Sequence, residues 1–599
     1  MGGQDKATHR PISSKSEHAQ ALFDLGLLQA WGFEHQEAAV NFEAALRFDP
    51  KCTMCQWGLA YASGPYPNVV TGQEGDPFPV FTRSAAQAGE DHAKKALQMA
   101  KDAVEAGDGD TDLLQRELQL AELMARRFHS AALAVRGSGE QWYAQEREYA
   151  EALAALGERL GNDADVFALS AEAFMNLKPW DYYTNLGNLR PEGVKAEEQL
   201  LRALAIDEHH PLALHLHVHV TEAAAPTLEG AGGDRASWAG RGLGSAEKLA
   251  ALAAQHGHLI HMPSHTFVRV GLYKTAVESN KKAYEFDVSR STHCITPYLP
   301  EHNIHLLIYA ASMGGQLHTA EAYAKGVRSL RERVGAKWIS PGNDWTSLPL
   351  VLARYGEWRK VLQLSEPPQD ARGGGAHGGP QYSQVVYRFV RVLAMAARAD
   401  AYSRRALAVD DQLAYDLAAK GAKARLDDVT GEMRLLRAAI RAIPTETPTR
   451  PGTALGIYAS SYQALGRMHG AVAEARIALM LNHTSQARAI LQLQDALAEE
   501  EGLGYMEPPR SHQPTRQCLG FVLLQAGRPA EAADVFRKDL LQHPNNGWSL
   551  TGLTEALTAE GDSAGAAKAS EQLTKAWADA GAEVQVWSSC PALAQTFDL

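Results

Sequence analysis

The chain has 599 residues, which is enough for several domains or for one long repeat array. Apolar residues make up 45% and charged residues 21%, Ala and Leu dominate, and β-branched residues are few, so a globular and mainly helical protein is expected. The formal net charge of −12 argues against nucleic acid as the main partner, because phosphate binding needs a basic face.

The first segment, residues 1–14, has no apolar core of the kind found in signal peptides, so it is predicted to be a disordered N-terminus and the protein to be cytoplasmic. No apolar run approaches the roughly 20 residues that span a bilayer, so no membrane span is expected. The five Cys are scattered and odd in number, which does not indicate a disulfide framework. Cys52 and Cys55 form one isolated CxxC, which favours buried structural thiols over a zinc site.

The segment from Gly26 to Pro50 has the pattern of a helical-hairpin repeat. Gly26, Ala38, Phe42 and Pro50 fall at the small, aromatic and helix-ending positions of a tetratricopeptide (TPR) repeat, whose period is about 34 residues. In such a hairpin the small residues let two helices approach, the aromatic ring fills the gap between them, and Pro ends the second helix.

The same pattern recurs near the C-terminus, where Gly520, Ala532, Phe536 and Pro544 occupy the same positions, and weaker copies lie between. The sequence therefore predicts an all-α fold, a TPR-like solenoid of helical hairpins with loop insertions. We expect an N-terminal array at 15–366, a Gly/Pro-rich linker at 367–381 and a C-terminal array at 382–599.

Three His-rich segments lie at 209–222, 256–267 and 301–311, each with His residues three or four apart, a spacing that places them on one face of a helix. The repeat register makes each segment the first helix of a hairpin. In TPR proteins, which these repeats resemble, that helix lines the concave groove. The residues predicted to meet there as metal ligands are His215, His219, Glu222, His261, His265, His302 and His305.

A mixed set of imidazole and carboxylate ligands on neighbouring helices suits Fe, Mn, Zn or Cu, and the ligand types do not select among these divalent transition metals. No nucleotide cofactor is indicated. A second tier of groove residues is predicted on weaker grounds: His258, Glu172, Trp180, Asp181 and His35. Glu507 and Arg510 lie in a loop that could fold over the groove.

The segment LALHLHVHV also alternates with period two, which is typical of a strand and would align His215, His217 and His219. Pro211 at the first helical position and the surrounding repeats favour a helix, with His217 directed elsewhere. His209 and His210, in the preceding turn, are expected to be solvated.

The motifs HPLALHLHVHVTEA, GHLIHMPSHTFVRVGLYKTAVESN, PEHNIHLLIYAASMGG and HPNNGWSLTGL resemble a group of uncharacterised, mostly bacterial TPR proteins with the HMPSH signature. The resemblance covers nearly the whole chain. It implies the TPR fold and carries no established activity.

Two functions fit these observations. One is a metal-dependent enzyme that acts on a small molecule in the groove through metal-activated water or dioxygen. The alternative is a non-enzymatic TPR adaptor that binds a protein or peptide in the concave groove. A third, structural interpretation is that the His residues only hydrogen-bond one another.

Overall fold

A computed structural model describes most of the chain. The described residues are 9–71, 80–107, 109–131, 140–184, 188–225, 238–252, 256–290, 300–334, 345–368, 379–407, 412–443, 454–481, 486–503, 505–578, 580, 588–594 and 597.

The chain forms two compact units. The first comprises Met1–Thr266 and Lys282–Tyr298, and the second comprises Phe267–Lys281 and Leu299–Leu599. The linker predicted at 367–381 therefore falls inside the second unit. Its residues 369–378, including His377, lie outside the described residues, so the linker stays a prediction.

The first unit is built from short and medium helices with one small β-pair, in which β1 (Val70–Thr71) and β2 (Val80–Phe81) run parallel. A short 3₁₀ helix spans Ala239–Gly242. The α-helices are α1 (Glu17–Trp31), α2 (His35–Phe48), α3 (Thr53–Ala62), α4 (Arg83–Ala106), α5 (Thr111–Arg127), α6 (Glu140–Leu160), α7 (Ala164–Met175), α8 (Pro191–Ile206), α9 (Pro211–Glu222), α10 (Leu243–Ala251) and α11 (Gly257–His261).

Two helices, α12 (Pro263–Arg269) and α13 (Tyr273–Arg290), contribute residues to both units. The second unit continues with α14 (Pro300–Met313), α15 (Leu317–Val334), α16 (Ser347–Arg354), α17 (Trp358–Gln363), α18 (Gly379–Leu407), α19 (Gln412–Arg441), α20 (Ala454–Leu481), α21 (Gln486–Glu501), α22 (Thr515–Gln525), α23 (Pro529–Gln542), α24 (Gly547–Glu560), α25 (Ser563–Ala576) and α26 (Pro591–Ala594).

Helices that follow one another in the chain pack together within each unit, as α1 does on α2 and α23 on α24. The aromatic ring of Phe42 explains one such contact. A Cβ atom on Gly26 or on Gly58 would lie 2.7 Å from a ring carbon of Phe42, so both flanking helices need Gly to approach the ring. In the second unit, Phe536 lies in the same way against Gly520 and Gly552.

The predicted all-α class is confirmed, and the ring-between-glycines packing is what the repeat pattern requires. A TPR repeat and a solenoid remain predictions. None of the described helices combines the length and the apolar character needed to cross a bilayer.

The N-terminal prediction differs from the structure over residues 9–14. Arg10 donates from Nη1 to Oδ1 of Asp163 over 3.0 Å, and the hydroxyl of Ser13 donates to Glu117 over 2.6 Å. These contacts fix the segment against two helices of the first unit. Residues 1–8, the rest of the predicted disordered N-terminus, lie outside the described residues.

The cysteine prediction is wrong for four residues. Cys52 and Cys55 form a disulfide at the start of α3, and Cys518 forms a second one with Cys590. The second pair is separated by 72 residues in sequence, so only the fold brings the two sulfurs together.

Candidate metal centre

Helix α9 carries the first group of predicted ligands. Pro211 occupies its first turn, and Nδ1 of His210 accepts a hydrogen bond from the backbone N–H of Ala213 as an N-cap. Every residue of the helix is buried. The strand alternative is therefore wrong, and His217, as expected for a helix, contacts a different neighbour, the hydroxyl of Ser245 at 2.8 Å.

His210 was expected to be solvated, and this prediction is wrong. Its ring is 2% exposed, packs 4.8 Å from the ring of Trp31, and places Nε2 2.8 Å from Oδ1 of Asp165. Its capping role and its carboxylate partner explain the burial. His209 is exposed, as predicted.

Three buried imidazoles, those of His215, His219 and His258, lie close enough to hold one metal ion. One ring nitrogen of each lies within 4.8 Å of the others. Nε2 of His215 and Nε2 of His258 are 3.1 Å apart. Two nitrogens bound to a tetrahedral metal at about 2.0–2.1 Å would be about 3.3 Å apart, so this pair has the spacing of two ligands of one ion.

The hydrogen bonds of the helix α9 imidazoles set which nitrogen faces the cluster. Nδ1 of His215 lies 2.7 Å from the carbonyl oxygen of Trp31, which can only accept, so Nδ1 carries the proton and Nε2 has a lone pair. Nδ1 of His219 lies 3.1 Å from Oε1 of Glu222, with the same result. Nε2 of His219 is buried without a hydrogen-bond partner among the described residues. A buried lone pair of this kind is where a metal ion fits.

Glu222 was predicted as a metal ligand. In the structure each of its carboxylate oxygens lies beside an imidazole nitrogen. Oε1 lies beside Nδ1 of His219, and Oε2 lies 2.6 Å from Nδ1 of His265. Burial acts to raise the pKa of Glu222, but His265 and His219 outweigh it and lower that pKa, so the group is a carboxylate. A carboxylate that orients the far nitrogen of a metal-binding His is the usual outer partner in such sites.

His261 and His265 form a second imidazole pair next to the first group. Their Nε2 atoms are 2.7 Å apart, and their rings meet edge to face at 4.7 Å. They do not share one continuous helix, because α11 ends at His261 and α12 begins at Pro263. The hydroxyl of Ser264 donates to the carbonyl of His261 over 2.6 Å and fixes this junction.

Burial keeps two of the candidate ligands neutral. Removal from water, reinforced by neighbouring imidazoles, lowers the pKa of His215 and of His258 well below the ordinary value of 6.5. A neutral imidazole has the lone pair that a metal binds, so these two residues need not lose a proton first.

The turn between α1 and α2 packs against this cluster, a contact that the sequence analysis did not predict. Phe33 adopts a φ of 63°. The centre of its ring lies 4.5 Å from that of the His215 ring, 5.6 Å from that of His219 and 5.2 Å from that of His258. Next to it, Oε2 of Glu34 lies 3.0 Å from Nδ1 of the buried His256. The only signal is the string WGFEH after the first repeat helix, which is typical of a turn.

Of the second-tier groove residues, one lies in the candidate metal centre and the others make different contacts. His258 belongs to the three-imidazole group. Glu172 instead accepts a hydrogen bond from the hydroxyl of Tyr61 at 2.8 Å, and burial raises the pKa of Glu172 to about 8. His35 donates from Nδ1 to the carbonyl of Ala62 over 3.0 Å, and burial lowers its pKa to about 4.

Trp180 and Asp181 make surface contacts instead. Trp180 is 36% exposed and donates from Nε1 to Asn68 over 2.8 Å, and Asp181 pairs with Arg190 at 2.9 Å. Neither contact involves a predicted ligand.

His302 and His305 lie on α14 of the second unit. Nδ1 of His305 is 3.5 Å from Glu301, and burial, with Arg510 and His512, lowers the pKa of His305 to about 3. That His302 and His305 join the other ligands stays a prediction from the repeat register. Arg510 lies 5.9 Å from the ring of Tyr462.

No protein-family model matches the chain, and a comparison with curated proteins finds no similar sequence.

Proposed function

We propose that the chain is a metal-dependent enzyme on a TPR-like scaffold, acting on a small molecule. The observation that supports this proposal is the group formed by His215, His219 and His258, in which His219 has a buried nitrogen with no hydrogen-bond partner in the part of the chain that the structure describes. Three His ligands with an open fourth position is a common arrangement for catalytic metals.

In this proposal the imidazoles of His215, His219 and His258 would hold a divalent Fe, Mn, Zn or Cu ion. The ion would activate bound water or dioxygen. Glu222 fixes the proton of His219 at Nδ1 and so keeps Nε2 directed at the ion. The ring of Phe33 excludes bulk water from one side.

The His261–His265 pair has a different role in the proposal. Nδ1 of His265 lies 2.6 Å from Oε2 of Glu222, and Nε2 of His265 lies 2.7 Å from Nε2 of His261, so the two rings form a path that starts at the carboxylate. This pair is therefore placed to pass a proton between the reacting molecule and the carboxylate, or to bind a second ion.

The test compares two buried histidines of the same helix. His219→Ala removes a proposed ligand, and His217→Ala removes a ring that bonds Ser245 outside the group. We expect the first variant, purified without a His tag, to lose its transition metal and the second to keep it, with both folded by circular dichroism. Equal metal content in the two variants would exclude the proposed ligand set.

Turnover separates an enzyme from an adaptor. The metal-loaded protein should hydrolyse or oxidise members of a small-molecule panel, with activity lost to a chelator and regained on adding the metal. A stoichiometric protein partner retained by the chelated protein, with no turnover by the loaded one, would favour the adaptor.

A further inference from the structure

A small cavity in the second unit is lined by a buried cation. Its volume is about 30 Å³. Leu393 and other apolar residues form most of its wall, and its polar lining comes from Arg354, His469, Ser511, His512, Gln513 and Thr515. No Asp or Glu is among the described residues that line it. The cavity therefore has one positive group and no negative one.

The guanidinium of Arg354 has no direct carboxylate partner in the described part of this unit. The side chain is 1% exposed, and Nη1 donates to Oε1 of Gln517 over 2.6 Å. Nη2 has a long contact of 3.9 Å with the sulfur of Met313, and Nε is buried with no partner among the described residues. The Nε and Nη2 atoms form the edge of the guanidinium that can bind a carboxylate in a bidentate manner. On this edge the hydrogen-bonding capacity is left largely unused.

Asp539, the acid that Arg354 reaches through Gln517, already accepts hydrogen bonds from other donors and is not in direct contact with the guanidinium. Gln517 separates Arg354 from Asp539, whose Oδ2 accepts from Gln517 at 3.0 Å and from the hydroxyl of Ser549 at 2.6 Å. Its Oδ1 lies 3.0 Å from Nδ1 of His543. The ring of Trp548, 4.3 Å from the guanidinium carbon, stabilises the cation but offers no acceptor.

His512 is the second polar group of the lining. It is 6% exposed, its ring contacts that of Tyr309 at 6.2 Å, and its Nδ1 has no partner among the described residues. Burial, with Arg354, lowers the pKa of His512 to about 3, so the ring is neutral and offers a hydrogen bond without adding charge.

We propose that this cavity binds a small monocarboxylate, held by the guanidinium of Arg354 with His512 beside it. A single cation and a largely apolar wall suit one negative charge better than the two of phosphate or sulfate. The volume holds about two water molecules, so the carboxylate must be among the smallest.

The test is titration calorimetry of the full chain with sodium formate and sodium acetate, against sodium chloride at equal ionic strength. We expect saturable binding of one carboxylate per chain. Arg354→Lys keeps the charge but loses the fork, and should weaken binding by about tenfold or more. Arg476→Lys is the matched control, because Arg476 is also buried but bonds the carbonyl of Leu593 and does not line the cavity.

His512→Phe keeps the ring and removes both nitrogens, so it remains informative if Arg354→Lys does not fold. We expect this variant to bind formate at least about threefold more weakly than the wild type. Heats equal to those of chloride, binding unchanged in both cavity variants, or tighter binding of inorganic phosphate than of formate would each overturn the proposal.

Discussion

At the scale of single residues, Glu222 shows what spacing along a helix can and cannot predict, and its role as a metal ligand stays a prediction. The spacing along α9 predicted that Glu222 lies on the same helix face as His215 and His219, which is correct. Spacing carries no information about which carboxylate oxygen contacts which imidazole nitrogen. The structure gives both carboxylate oxygens to the Nδ1 atoms of His219 and His265. Its proposed role is therefore to orient ligands.

Glu222→Gln tests that role. The amide keeps the shape but binds the two imidazoles more weakly, so metal affinity should fall by about 10- to 100-fold while the fold persists. Glu197→Gln is the control, since Glu197 lies 3.5 Å from Nε2 of His217, outside the group. Competition with a chromophoric chelator measures both affinities, and equal values would contradict the orienting role.

A buried histidine of the second unit predicts a pH dependence of stability. His469 is 2% exposed, its Nε2 lies 2.9 Å from the hydroxyl oxygen of Tyr382, and burial lowers its pKa to about 3. Because the folded pKa is the lower one, the unfolded chain binds the extra proton below about pH 6.5, so this contribution to stability falls as the pH falls from about 6.5 to about 3.

His469→Gln removes that proton site and should reduce the slope of unfolding free energy against pH by about 1.4 kcal/mol per pH unit within this window. Urea unfolding of both proteins across that range measures the slopes. Parallel curves for wild type and variant would show that His469 is not held neutral.

At the scale of helices, the repeat pattern predicted the contact between α1 and α2 well, because it depends on residue size alone. Gly26 and Phe42 meet as that pattern requires. The break between α11 and α12 was missed, because the His spacing of the segment 256–267 was interpreted as one helix although Pro263 interrupts it. A proline that begins a new turn and one that ends a helix look alike in a periodic pattern.

Gly26→Ala should destabilise the first unit by about 1–3 kcal/mol, because the new Cβ would lie 2.7 Å from a ring carbon of Phe42. Gly244→Ala is the matched control. Gly244 is an exposed residue of α10, and a Cβ there would meet nothing within 4 Å, so this change should be neutral or stabilise by up to about 1 kcal/mol. Thermal unfolding measures the change in stability of each variant relative to the wild type. The two changes should have opposite signs or differ clearly in size.

At the scale of the whole molecule, the helical class followed from composition and periodicity, while the features that depend on distant contacts did not. The pairing of Cys518 with Cys590 and the ring of Phe33 against the histidines join residues far apart in sequence. Of the predicted ligands, His215, His219, Glu222, His261 and His265 come together in the first unit. Two disulfides are also unusual in a reducing compartment, which counts against the predicted cytoplasmic location.

The cysteine pairing has a direct chemical test. The chain has five Cys, of which four are paired, so one thiol per chain should react with a thiol reagent in denaturant and five after reduction. Peptide mapping without reduction should recover both linked pairs. Five reactive thiols before reduction, in protein prepared without reductant, would contradict the pairing.

The most direct test of the metal centre is the metal content of untagged protein by mass spectrometry, before and after reconstitution with Fe, Mn, Zn or Cu. The structure of the His215, His219 and His258 group leads us to expect at least about one equivalent of one transition metal, resistant to dialysis and removed by a strong chelator. Less than about a tenth of an equivalent of every metal, with no gain on reconstitution, would contradict the proposed centre.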